Sequence, residues 1–175
     1  MRSEVPGIRL KVIPKVLREG IALDESLDLA KRLGVSDLID LADPVPLEQM
    51  PDVMRNAHIG VYPALADYHM DVSPSLKIPE MVNMGLPIVA SRLSWLEELY
   101  GEQSIAFVPP GDPEGLAAKI AELYRDPDLR NCMVCNARET GAKLDWNSQY
   151  RAYTELVAKL VPHKAVFPSQ EGPGV

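Results

Sequence analysis

Apolar positions recur along this chain with two alternating periods, and the alternation predicts the architecture. Short runs of strand composition stand at residues 8–13, 38–42, 58–62, 86–90 and 104–108. Segments of helical spacing lie between and after them. Leu23, Leu27, Ala30 and Leu33 mark one helical face, ended by Gly34. Residues 47–57 read as a short helix that tolerates Pro51 only near its first turn, and residues 75–84 as another with Pro79 in its opening turn. Asp112 as N-cap and Pro113 behind it open a helix over 112–125, whose face carries Leu116, Ile120 and Leu123. Asp126-Pro127 repeats that start signal. Trp146, Tyr150, Tyr153, Val157 and Leu160 give the last helix a broad apolar face, expected to pack back on the body. Residues 162–175 have no periodicity and read as a flexible C-terminal tail. The domain is therefore expected over residues 1–161.

Strands separated by helices imply an α/β fold: a Rossmann-like parallel sheet of about five strands, covered by helices on both faces, with right-handed crossovers. Ligands of such sheets bind beyond the carboxyl ends of the strands. The segments to inspect are those after Ile13, Ala42, Tyr62, Ala90 and Val108.

Composition narrows the class. The chain has 175 residues, 46% of them hydrophobic and 25% charged, an ordinary globular balance. A net charge of −7 argues against nucleic-acid binding through a general basic surface. The longest apolar run, Ile59 to Ala66, is far short of the roughly 18 residues of a membrane span. The N-terminus carries no apolar stretch resembling a secretion signal. With two cysteines there is no disulfide scaffold, so the expected compartment is the cytoplasm. Cys132 and Cys135 fall within a predicted helix without a second pair, and are expected to be buried or idle thiols.

The segment after the third strand is the richest in chemistry. Asp67 to Glu80 is a long polar loop running into a helix start, where free N–H groups and the helix dipole favour an anion, phosphate in particular. Ser73 and Ser75 offer hydroxyls, Lys77 a positive charge, and Glu80 a carboxylate able to accept from the vicinal hydroxyls of a sugar. The same residues also have a plain structural reading: Ser75 as a cap, Lys77 as a solvated charge, Glu80 as a partner of the dipole. Asp67, His69 and Asp71 carry metal-ligating atoms, but a polar loop is the simpler reading.

Residues 74–91, Pro-Ser-Leu-Lys-Ile-Pro-Glu-Met-Val-Asn-Met-Gly-Leu-Pro-Ile-Val-Ala-Ser, resemble the donor-site signature of family-4 (group 1) retaining glycosyltransferases of GT-B fold. The resemblance runs from residue 8 to about 160. It includes Leu33-Gly34-Val35, Val45-Pro46, Ala57 to Pro63, Ser94 to Glu97, and Val108 to Pro113 in family order. It implies a C-terminal domain that binds a nucleotide-sugar, with no metal and no further cofactor. In the family a Glu-x7-Glu motif holds the donor. Its second glutamate, the ribose ligand, corresponds to Glu80, while the first, which contacts the sugar, falls at Val72, beside Asp71. By the same resemblance the backbone at Ser73, Ser75, Leu76 and Lys77 would face the diphosphate and sugar, and the loop at Pro46 would flank the base.

The family also has an N-terminal acceptor domain and a first strand–helix unit whose Arg and Lys clamp the diphosphate. This chain aligns from the second strand of the donor domain, and the only basic candidates after its first strand are Lys15 and Arg18, for which solvated loop charges are the plainer reading. No residue is assigned a catalytic role. Two readings follow: a glycosyltransferase domain dependent on an acceptor-binding partner domain, or an inactive module that keeps the fold. A receiver-type signalling domain is excluded, because its acidic pair and phosphoacceptor would fall at Pro14-Lys15 and Tyr62-Pro63.

Overall fold

A computed structural model describes residues 4–14, 21–65, 67–144 and 146–161. Lys15, Arg18 and the tail 162–175 lie outside these residues. The strands are β1 (Leu10–Val12), β2 (Ile39–Leu41), β3 (Gly60–Tyr62), β4 (Ile88–Ser91) and β5 (Ala106–Val108). The helices are α1 (Ile21–Arg32), α2 (Met50–Arg55), α3 (Tyr68–Val72), α4 (Lys77–Asn83), α5 (Ser94–Tyr100), α6 (Pro113–Arg125), α7 (Pro127–Ala142) and α8 (Trp146–Leu160). All strand pairs are parallel. The expected strands all form, shortened by a residue or more.

The strand pattern predicts one sheet, and the structure splits it in two. β1 pairs with β2, and separately β3, β4 and β5 lie side by side. The two sheets differ in burial as well. β4 is buried along its whole length, whereas Leu10 in β1 is 50% exposed.

Strand alternation divides the β3–β5 sheet between two cores. Ile88, Ala90 and Phe107 enter one core with Ile78 and Val82 of α4 and Leu96 and Tyr100 of α5. Val89, Ala106 and Val108 enter the other with Leu123 of α6 and Met133 of α7. Helices thus cover both faces, the arrangement that fully buried parallel strands require.

Short-range chemistry fixes the helix starts. Asp112 Oδ1 accepts the Gly115 N–H at 2.9 Å, and Asp126 Oδ1 accepts the Leu129 N–H at 2.8 Å. Gly60 lets α4 approach β3: a Cβ there would run into the Met81 sulfur. Gly85, at φ +74°, makes the left-handed turn from α4 into β4.

Two sequence expectations change. The loop expected over 67–80 contains α3, and α5 has no counterpart in the predicted elements. α8 forms, but none of its described residues is buried; Trp146 is 72% exposed and Leu160 equally so. Its apolar face is therefore largely exposed, with only Tyr150 and Val157 half-buried. Cys132 and Cys135 are free and exposed, because they lie on the outer face of α7, away from Met133 and Ala137.

Candidate functional site

The β3–α4–β4 crossover sets the site's position. β3 and β4 run parallel, so the returning helix between them starts at the carboxyl edge of the sheet. The segment after β3 leaves that edge, folds into α3 and turns through Ser73 to Leu76 before α4 begins. Ser73, Ser75, Leu76, Lys77 and Glu80 are thereby gathered around one helix start.

Within that start, the Ser75 hydroxyl oxygen accepts the Lys77 N–H at a long 3.4 Å. Leu76 is 77% exposed and Lys77 is exposed beside it. Ile78, Met81 and Val82 face the core, which turns Glu80 outward. Its carboxylate makes no hydrogen bond or ion pair with the described residues, whereas its backbone N–H donates to the Leu76 carbonyl at 3.2 Å. Pro46 stands apart in sequence, in the loop after β2, capping the 3₁₀ turn Leu47–Gln49.

Asp71 has a different setting. One of its carboxylate oxygens accepts the Ser94 N–H at 2.7 Å, and the other accepts the Ser94 hydroxyl at 2.9 Å. These bonds, the backbone one first, hold its pKa below the usual carboxylate range. The Trp95 indole N–H donates to the Met70 carbonyl at 3.0 Å, so α3 is tied to α5 at two points. Sequence reasoning missed this clasp. Asp67 as the N-cap of α3 was the available signal, its Oδ1 accepting the Met70 N–H at 2.7 Å. No group of three or more metal-ligating side chains occurs among the described residues.

Among the described residues, two well-formed cavities are not lined by Ser73, Ser75, Lys77 or Glu80. One, of about 190 Å³, lies beside Arg92, Phe107 and Lys119. Arg92 sits 5.2 Å from the Phe107 ring centre, and its guanidinium bonds to Glu97 and, at 2.7 Å, to Glu102. The other, of about 450 Å³, lies between α4 and α7 beside Pro79, Arg138 and Trp146.

The chain belongs to the group 1 glycosyl transferases, whose family model matches residues 5–126. It is 28% identical over 177 residues to the D-inositol 3-phosphate glycosyltransferase of Thermobispora bispora, covering 95% of this chain and 40% of that protein. Its fold is similar to that of Alr3699/HepE of Anabaena, solved in complex with UDP (TM-score 0.77, 18% identity, 89% of this chain and 42% of the other). Sucrose-phosphate synthase of Thermosynechococcus elongatus is similar at TM-score 0.75 and 20% identity, over 89% and 39%. The chain thus spans about 40% of the length of these proteins. The fold is the partial, Rossmann-like α/β domain of the GT-B glycosyltransferases.

No described helix is long and apolar enough to cross a membrane.

Proposed function

We propose that residues 1–161 are the C-terminal, donor-binding domain of a retaining glycosyltransferase and hold a nucleoside-diphosphate sugar at the start of α4. The observation that carries this reading is Glu80. It is an exposed carboxylate without a partner among the described residues, one turn into α4 at the carboxyl edge of the sheet. Family membership supports it, and the UDP bound by the Anabaena neighbour makes uridine the first base to test.

In this reading Glu80 accepts two ribose hydroxyl protons, each through a charge-assisted bond. The backbone from Ser73 to Lys77 faces the diphosphate and the sugar, with Lys77 adding positive charge. Pro46 flanks the base. Developing negative charge on the departing diphosphate is stabilised electrostatically, the largest contribution such a surface can make. Asp71 serves by tying α3 to α5, which fixes the loop that presents Ser73.

Transfer needs a second wall to place the acceptor against the donor. The 175 residues alone therefore bind and do not turn over; an acceptor-binding domain supplies the rest. Isothermal titration of UDP into the chain tests the donor site. Saturable binding lost in Glu80→Gln supports it; UDP binding that Glu80→Gln leaves unchanged removes Glu80 from the site.

A further inference from the structure

The cavity of about 450 Å³ between α4 and α7 is lined by two polar side chains that have no partner among the described residues. Its volume falls within the range of small-molecule pockets. Val82 of α4 and Tyr100 of α5 are buried and form its floor, while Leu144 and Trp146 are exposed and form its rim. Pro79 adds to this apolar lining.

Tyr100 is the first unpaired group. It is 2% exposed, and its hydroxyl has no hydrogen-bond partner among the described residues. A buried hydroxyl without a partner is destabilising, and folded proteins keep few of them. Burial also raises the Tyr100 pKa, so the phenol holds its proton and has an O–H to donate.

Arg138 is the second. Its guanidinium makes no hydrogen bond or ion pair with the described residues. It rests against the turn at Gly85, where a Cβ would run into it, so backbone packing holds it in place. No carboxylate is among the described residues that line the cavity, and Arg138 gives it positive charge in a chain of net charge −7. A guanidinium with its donors free matches the two oxygens of a carboxylate.

We propose that this cavity binds an aromatic hydroxy acid. The carboxylate sits on Arg138, the ring lies against Trp146 and Val82, and the hydroxyl exchanges a hydrogen bond with Tyr100. The order of the lining carries the argument. Charge stands at the exposed end, apolar side chains in the middle and one uncharged polar group at the buried end. A ring with a carboxylate and a hydroxyl at opposite ends repeats that order. An inorganic anion would meet Arg138 and leave both the apolar lining and Tyr100 unmet. Neither Lys77 nor Glu80 lines this cavity, so the inference does not rest on the donor reading.

Isothermal titration of para-hydroxycinnamate into the chain tests it. Saturable binding is expected. The uncharged para-hydroxycinnamamide should bind roughly 10- to 150-fold more weakly, and cinnamate, which lacks the hydroxyl, about 2- to 12-fold more weakly. Arg138→Gln should abolish the first difference and Tyr100→Phe the second. Tyr100→Phe should leave the melting temperature of the free chain unchanged or raised, because the hydroxyl has no bond to lose. Absence of saturable binding at millimolar concentration overturns the proposal. So does equal binding of acid and amide, or a difference that survives its variant. Displacement of para-hydroxycinnamate by UDP would place it in the donor site and overturn the proposal as well; binding undisturbed by UDP supports it.

Discussion

Asp71 holds the amino end of α5 through Ser94, taking the backbone N–H on one carboxylate oxygen and the hydroxyl on the other. A side chain from one short helix thus caps another 23 residues later in sequence. This capping bond connects the loop after β3 to the loop after β4, and it carries a pH signature.

The sign follows from the lowered pKa. The Asp71 carboxyl ionises more readily folded than unfolded, so its contribution is present above the unfolded pKa of about 4 and is lost as pH falls through the lower folded value. Asp71→Asn should melt below the parent from pH 5 to 8, and the difference should close as pH falls below about 4. Thermal melts from pH 7 to 2.5 check this; a difference that persists unchanged at pH 2.5 would assign the loss to packing instead.

Glu80→Gln keeps the shape and loses the charge. Hydrogen bonds to charged groups contribute about 1.5–3 kcal/mol, so UDP affinity should fall by roughly 10- to 150-fold. The melting temperature should hardly move, because the Glu80 carboxylate has no bond with the described residues to lose. Titration and melts of the same preparations separate ligand loss from structural loss.

Core and surface leucines should part company. Leu96 is fully buried in α5, and its truncation to alanine should cost about 2–5 kcal/mol. Leu156 on α8 is 56% exposed, and Leu156→Ala should change stability by less than about 0.5 kcal/mol. Urea unfolding of both variants provides the comparison. A large loss for Leu156 would show that α8 packs against the body in solution.

Gly60→Ala places a methyl group against the Met81 sulfur, where α4 lies closest to β3. Overpacking of this kind costs about 1–3 kcal/mol, or roughly 3–10 °C in melting temperature for a domain of this size. Because Met81 lies one residue after Glu80, UDP affinity should weaken along with stability. An unshifted melting curve would show that Met81 moves aside freely.

The 175-residue chain should release no UDP from UDP-glucose above buffer background with any acceptor offered. A UDP-release assay checks this, and sustained turnover would show that the acceptor wall is already present.

What the sequence determined by itself was local. Periodicity placed five strands and most helices within a few residues, because a buried face of period 2 or 3.6 is written in the order of residues. Asp112-Pro113 and Asp126-Pro127 were legible as helix starts because a cap acts over three residues. Residues 73–80 stood out because a strand, a polar loop and a helix start follow one another in the chain. Tertiary structure decided the long-range relations. The Asp71–Ser94 bond joins residues 23 apart, and neither α3 nor α5 is long enough to show a reliable period. The division into two sheets was equally illegible, since strand composition does not name a strand's neighbour. The apolar face of α8 announced that it could be buried; how far it is covered depends on how the elements assemble in space, and in the structure none of its described residues is buried.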